Sequence, residues 1–256
     1  MSGITAVVMA GSRSGGDPFA RAHGTDLKPL IPVAGEPMVR RPVTALLASE
    51  CVARLLVLSQ QPERIGAVLP ADPRLTVARS DDTIAATVLA LIDEPATQWP
   101  LLITTADHAL LTPAILQEFV TKAEGRDLAI GVVERGTLMQ RLPQSRRTWI
   151  RFRGGAYTGA NLFLLGSRKA RPAIELWRSV EQDRKRGWRL LAGFGPAVLL
   201  GAVLRLRTLD QTVTALGRKL GPTIHAVELS DPLAAVDVDK EEDLQLVESI
   251  LAGRHD

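Results

Sequence analysis

Along the first half of the chain, short continuous apolar runs alternate with stretches whose apolar residues recur at helical spacing. Residues 4–10 form the first run, closed by Gly11-Ser12. They predict a buried strand feeding a glycine-bearing loop that extends to Lys28-Pro29. A short extended piece follows over 30–34, then a turn at Gly35-Glu36-Pro37. Residues 38–49 have helical spacing, with Val39, Val43, Leu46 and Leu47 on one side. Further strands are predicted over 54–58, 75–78, 101–105 and 127–133, and helices over 62–69, 82–92 and from Pro113. Asp81 or Asp82 is the expected cap of the helix at 82–92, and Thr112 of the one that Pro113 opens. This alternation predicts an α/β, Rossmann-like, three-layer α/β/α fold, with a mostly parallel mixed sheet covered on both faces and right-handed crossovers.

After residue 135 the rhythm fails. Residues 135–155 are rich in arginine and glycine, 160–165 are again strand-like, and 172–220 carry a helical pattern. A late strand is expected over 223–229, and a C-terminal helix from Asp239 or Lys240. No repeat or low-complexity tract interrupts the chain, so one domain with an insertion is expected over all 256 residues.

Composition changes this picture little. Aromatic content is low, which leaves the core to aliphatic residues and alanine. A formal charge of +3 demands no nucleic-acid partner, yet permits a local anion site. One cysteine, Cys51, excludes an intramolecular disulfide and a cysteine-rich zinc site. No basic n-region precedes the apolar run at 4–10, so no secretory leader is expected. The longest apolar run, 190–204, is broken by Gly193, Gly195, Pro196 and Gly201, and falls short of the ~20 residues of a spanning helix. A cytoplasmic protein is expected.

Three places could carry chemistry. The loop after the first strand is glycine-bearing, so its backbone N–H groups can approach phosphate oxygens, and Arg13, Arg21 and Lys28 add charge. It is not a P-loop, because no Gly-Lys-Ser/Thr follows at the required spacing. Asp107 lies at the carboxyl end of the 101–105 strand, where open parallel sheets bind ligands. Asp237 and Asp239 alternate on one side of an extended segment. Carboxylates from distant parts of a chain suit Mg2+, which takes one or two from protein and the rest from phosphate and water. Asp239 equally suits a helix cap, with Glu241 and Glu242 favouring the helix N-terminus.

Taken together, these residues resemble the MobA-like and sugar-1-phosphate NTP transferase superfamily. The resemblance rests on Ala6-Val7-Val8-Met9-Ala10-Gly11-Ser12-Arg13 followed by Lys28-Pro29-Leu30-Ile31-Pro32-Val33-Ala34-Gly35-Glu36-Pro37-Met38, on Thr105-Ala106-Asp107-His108, on Thr158-Gly159-Ala160-Asn161, and on Val236-Asp237-Val238-Asp239. It implies a GT-A-type nucleotide-diphospho-sugar transferase fold with a helical insertion at about 172–220. Residues 1–135 would be the nucleotide-binding half, 136–229 the acceptor side, and 230–256 the metal-ligand segment with the C-terminal helix. It implies Mg2+, with Mn2+ as an alternative, and an NTP substrate, CTP or GTP. Lys28 would contact the triphosphate, and Arg21 would stabilise the transition state. Asp107 and Asp239 would hold the metal, with Asp237 as substitute or support. Ala10, Gly11, Ser12, Arg13 and Ala106 would lie along the nucleotide, Ser80, Asp82 and Thr83 near its base. Gly159 and Asn161, with some of the arginines around Arg146 and Arg147, would face a phosphorylated acceptor. Gly11-Ser12 replaces the superfamily's common Gly-Gly, and Asp82-Thr83 stands where a glycine is common. A nucleotide-sugar-using glycosyltransferase and a non-catalytic nucleotide-binding relative are the alternatives. Basic residues and Trp188 flanking the apolar run in 184–207 suggest a peripheral contact with the inner face of a membrane.

Overall fold

In the computed structural model, residues 3–12, 16–80, 83–182 and 207–254 are described. The chain runs through β1 (Ile4–Met9), α1 (Pro18–Ala22), β2 (Pro32–Val33), β3 (Glu36–Pro37), α2 (Arg40–Leu47), β4 (Val52–Ser59), α3 (Pro62–Gly66) and β5 (Leu75–Arg79). It continues with α4 (Ile84–Asp93), β6 (Leu101–Thr105), α5 (Pro113–Ala123), β7 (Leu128–Glu134), α6 (Arg135–Arg141), β8 (Ile150–Phe152) and β9 (Gly155–Leu165). The last elements are α7 (Arg171–Gln182), α8 (Leu209–Leu220), β10 (Ile224–Glu228) and α9 (Glu241–Leu251).

Among the described residues the main sheet has eight strands, in the order β10-β7-β9-β6-β1-β4-β5, with β8 paired to β9. β1, β4, β5 and β6 are mutually parallel, and β10 is parallel to β7. β9 runs antiparallel to β6, β7 and β8. The expected mixed, mostly parallel sheet is present.

Period-two alternation in β1 splits the core into two. Ala6 and Val8 face one layer with residues of α2, α5 and α9, among them Val43, Leu46, Phe119, Leu244 and Val247. Val7 and Met9 face the other with Val88 and Ile92 of α4 and Ile174 of α7, while Leu216 of α8 packs at its edge. Helices therefore cover both faces, and the adjacent strands β6, β1, β4 and β5 point their carboxyl ends the same way. That shared direction is what creates a site.

Several local expectations shift by chemistry the pattern does not encode. α4 is capped by Thr83, whose hydroxyl accepts from the Ala86 N–H at 3.1 Å, so neither Asp81 nor Asp82 is its cap. α9 begins at Glu241 without a side-chain cap, leaving the Asp239 carboxylate for another partner. Residues 30–34 close a small hairpin whose turn residues, Ala34 and Gly35, have φ of 49° and 83°, as a tight two-residue hairpin turn requires. The irregular stretch after 135 contains α6, nucleated where Glu134 accepts from the Gly136 and Thr137 N–H groups, and a strand β9 twice the predicted length.

Among the described residues no helix is long and apolar enough to cross a membrane. The stretch 184–206, where the sequence suggests a membrane contact, lies outside the described residues.

Candidate active site

Beyond the carboxyl ends of β1, β4, β5 and β6 opens a cavity of about 620 Å³. Met9, Gly11 and Ser12 contribute from β1, Leu58 and Gln60 from β4, Ser80 from β5, and Thr105, Ala106 and Asp107 from β6. Lys28 and Asp239, which are hydrogen-bonded to each other, also line it, as do Asp17, Thr83, Ile84, Thr87 and Glu181. The crevice outside parallel strand ends is where open α/β sheets bind ligands.

The loop after β1 is held open by specific bonds. The Ser12 N–H donates to Gln60 Oε1 at 3.1 Å, and Ser12 Oγ accepts from the Lys28 N–H at 3.2 Å. A Cβ at Gly11 would stand 2.9 Å from the Gln60 amide, so glycine lets that side chain reach the loop. Ala10 is buried beneath, its N–H donating to the Leu58 carbonyl at 2.8 Å.

Lys28 is the centre of the charge arrangement. Its Nζ donates to Asp107 Oδ2 at 2.6 Å and to Asp239 Oδ1 at 2.5 Å. The lysine and Asp107 side chains are 17% and 18% exposed, that of Asp239 63%. Burial pulls the Lys28 pKa down, but the two carboxylates outweigh it and the ammonium is held above its ordinary value. Thr105 Oγ1 donates to Asp107 Oδ1 at 2.5 Å and fixes the carboxylate. The Val238 N–H donates to the Asp107 carbonyl at 3.1 Å, which anchors the C-terminal segment beside the β6 turn. Residues 79 and 211 positions from Lys28 thus meet at one nitrogen.

Two carboxylates around one ammonium leave a net negative site of hard oxygen donors. That donor set fits Mg2+, which needs only one or two protein carboxylates when phosphate and water complete its shell. Among the described residues no group of three or more His, Cys, Asp or Glu side chains gathers in a metal-binding arrangement.

Asp237 enters a different constellation. Its carboxylate accepts from Arg147 Nη1 and, at 3.0 Å, from Asn161 Nδ2, and its backbone carbonyl accepts from Arg147 Nη2 at 3.1 Å. Asn161 has φ of 48°, a left-handed conformation that asparagine tolerates better than most residues. Asp107, Asp239 and Asp243 lie near enough to favour the Arg147 charge, against the burial that lowers its pKa. Arg147 and Asn161 are therefore joined, through Asp237, beside the Lys28 cluster. Arg146 and Gly159 are exposed. Arg21 lies on α1 with its guanidinium against Gly16, where a Cβ would meet Nη2 at 2.5 Å. Arg13 and Asp82 lie outside the described residues.

His108 is 1% exposed, and burial depresses its pKa to about 4. Thr104 Oγ1 is 3.2 Å from its Nδ1, while Nε2 faces the backbone of Ala234 without a well-formed hydrogen bond. A neutral ring packed below the cavity is a structural residue.

Gln60, Asp17, Thr87, Thr105 and Glu181 line the cavity although sequence reasoning did not select them. Gln60 follows the carboxyl end of β4, so the strand-end rule that selected Asp107 applies to it equally. Glu181 had no such signal, because only tertiary packing brings the end of α7 to the start of α4.

A model of the MobA-like NTP transferase domain matches residues 6–203. The chain belongs to the MobA-like NTP transferase family. The family is one of NTP transferases, whose general chemistry is nucleotidyl transfer. The chain is 30% identical to a hypothetical transferase from Thermus thermophilus, covering 94% of this chain and 99% of that one with a TM-score of 0.78. It shares its fold with 4-diphosphocytidyl-2C-methyl-D-erythritol synthase from Anaerococcus prevotii, at 9% identity and TM-score 0.61, covering 98% and 96% of the two chains. The fold is also that of a CMP:2-keto-3-deoxy-manno-octonic acid synthetase complexed with CTP, at 12% identity and TM-score 0.59, covering 98% and 99%. No curated protein matches the chain by sequence.

Proposed function

We propose that this NTP transferase moves a nucleoside monophosphate from an NTP to a small phosphorylated acceptor and releases pyrophosphate, with Mg2+ held by Asp107 and Asp239. The observation that carries the reading is the Lys28 ammonium between these two carboxylates, at the wall of a cavity sized for a nucleotide. CTP or GTP is the expected donor, and an alcohol, sugar or lipid-linked phosphate the acceptor. The CTP-bound synthetase of the same fold favours a cytidine donor.

In the displacement, an acceptor phosphate oxygen attacks the α-phosphorus, and the bond to the α–β bridging oxygen breaks with its electron pair leaving on pyrophosphate. The acceptor oxygen already carries charge near neutral pH, so no side chain has to remove a proton. Backbone N–H groups of the Gly11-Ser12 loop and Lys28 neutralise the polyphosphate, which gains charge as it leaves. When bound, the metal supplies Lewis-acid stabilisation of the phosphoryl oxygens. Asp107 is kept in position by Thr105, so little reorganisation is needed at reaction. On the acceptor side, Arg147 is pre-oriented by Asp237 and can clamp a phosphate with its planar fork.

A pyrophosphate-release assay with the four NTPs, a panel of phosphorylated acceptors and either Mg2+ or EDTA tests this. Release should require both divalent metal and a phosphorylated acceptor. Equal release from unphosphorylated acceptors would remove the acceptor class.

A further inference from the structure

At the end of the cavity away from Lys28 sits Glu181, contributed by α7 across the start of α4. Glu181 Oε2 accepts from the Ala85 N–H at 3.3 Å, a long bond. Thr83 caps the Ala86 N–H, so Glu181 serves a second free N–H of the same helix end and does so through one oxygen alone. Its other oxygen, Oε1, makes no hydrogen bond among the described residues. Ser80 lines the same cavity, and its Oγ is buried with no hydrogen-bond partner among the described residues. Buried polar atoms left without partners are uncommon and point to a missing ligand group. Ser80 follows β5 and Asp107 follows β6, with β1 and β4 between them, so the two ends are three strand spacings or about 14 Å apart. That is the reach of a nucleotide from its base to its phosphates.

We propose that Glu181 reads the exocyclic amine of the nucleobase, with Ser80 as its companion, so that the chain accepts an amino-bearing nucleoside triphosphate and rejects UTP. The inference rests on the nucleotidyl-transfer reading above and adds to it the means of base choice. A carboxylate oxygen only accepts hydrogen bonds, and an amine on cytosine, adenine or guanine donates one. Where cytosine has its amine, uracil presents a carbonyl oxygen, which would face the carboxylate acceptor to acceptor. A site built to bond a donor rejects an analogue lacking it far better than it rejects a missing methylene.

The test is calorimetric binding of CTP, GTP, ATP and UTP, each with Mg2+, to the full-length wild type, E181Q and E181A, with thermal midpoints recorded for each. Wild type should bind at least one amino-bearing triphosphate about tenfold or more tighter than UTP. The E181Q amide can donate as well as accept, so that ratio should fall about tenfold and move toward UTP. E181A should narrow the ratio without reversing it. A role confined to packing against α4 would weaken all four nucleotides equally and leave the ratio unchanged, which overturns the proposal. Wild-type preference for UTP overturns it as well. Selective binding without pyrophosphate release would sink the transfer reading alone; equally efficient release from all four triphosphates would sink only the base-reading role. Binding of none of them contradicts both.

Discussion

Asp237 and Asp239 stand two residues apart on one extended segment, yet they serve two different constellations. Asp239 turns to Lys28 and Asp107 and stays largely open to solvent. Asp237 is enclosed by Arg147 and Asn161, with both carboxylate oxygens engaged. Between them Val238 is fully buried, which fixes the strand-like alternation and aims both carboxylates away from the core. The same side chain in the same local geometry thus meets an exposed lysine cluster in one place and an enclosed arginine in the other. What separates them is the partner: a lysine ammonium shared with Asp107, or a guanidinium held at two acceptor contacts.

The largest expected effect tests the Lys28–Asp107–Asp239 cluster. D107A should lower turnover by roughly 10³-fold, while its thermal midpoint stays close to wild type, because the backbone bond from Val238 survives the change. Steady-state kinetics with a melting curve on the same preparation check this; near-wild-type turnover would remove Asp107 from the reaction.

The contrast itself is sharpened by comparing D239A with D237A. D239A should cost about 100-fold in turnover and little stability, since the carboxylate is mostly exposed. D237A should cost about 3 kcal/mol of stability, because the half-buried Arg147 loses its anion. Denaturant titration beside the rate measurement separates the two, and the opposite ordering would show that Asp237 and Asp239 do not differ in this way.

A smaller effect comes from below both regions. His108 feels Asp107 and Arg147 but is buried and neutral at pH 7, with a pKa near 4 in the folded chain. Its ordinary value is about 6.5, so between these limits the unfolded chain binds more protons than the folded one. Stability should be full above pH 6.5 and fall as pH drops toward 4, by up to about 3 kcal/mol. Unfolding titrations in EDTA at pH 7 and pH 4.5 measure it. A His108→Asn variant that kept the whole acid loss would assign the loss to other groups.

Much of this organisation was legible in the sequence, and the part that was not has physical causes. β6 and the Thr112-Pro113 start of α5 emerge directly, since a continuous apolar run and a capped proline turn are local signals. Lys28, Asp107 and Asp239 were selected for the roles their resemblance implies, and folding brings all three together. α6 and the first half of β9 were hidden, because arginines and glycines mask their period and β9 is stabilised by pairing with β7. Alternation could not separate Asp237 from Asp239, as it places both on one side. Glu181 was invisible for a different reason: its position depends on how α7 crosses α4, which no short-range pattern records.

The most direct measurement follows two labels, one at the α-phosphorus and one at the γ-phosphorus of the donor nucleotide. The α-label should join the phosphorylated acceptor in the product while the γ-label leaves in pyrophosphate, with both transfers slowed by roughly 10³-fold in D107A. A γ-label recovered as inorganic phosphate, or on the acceptor, would contradict it.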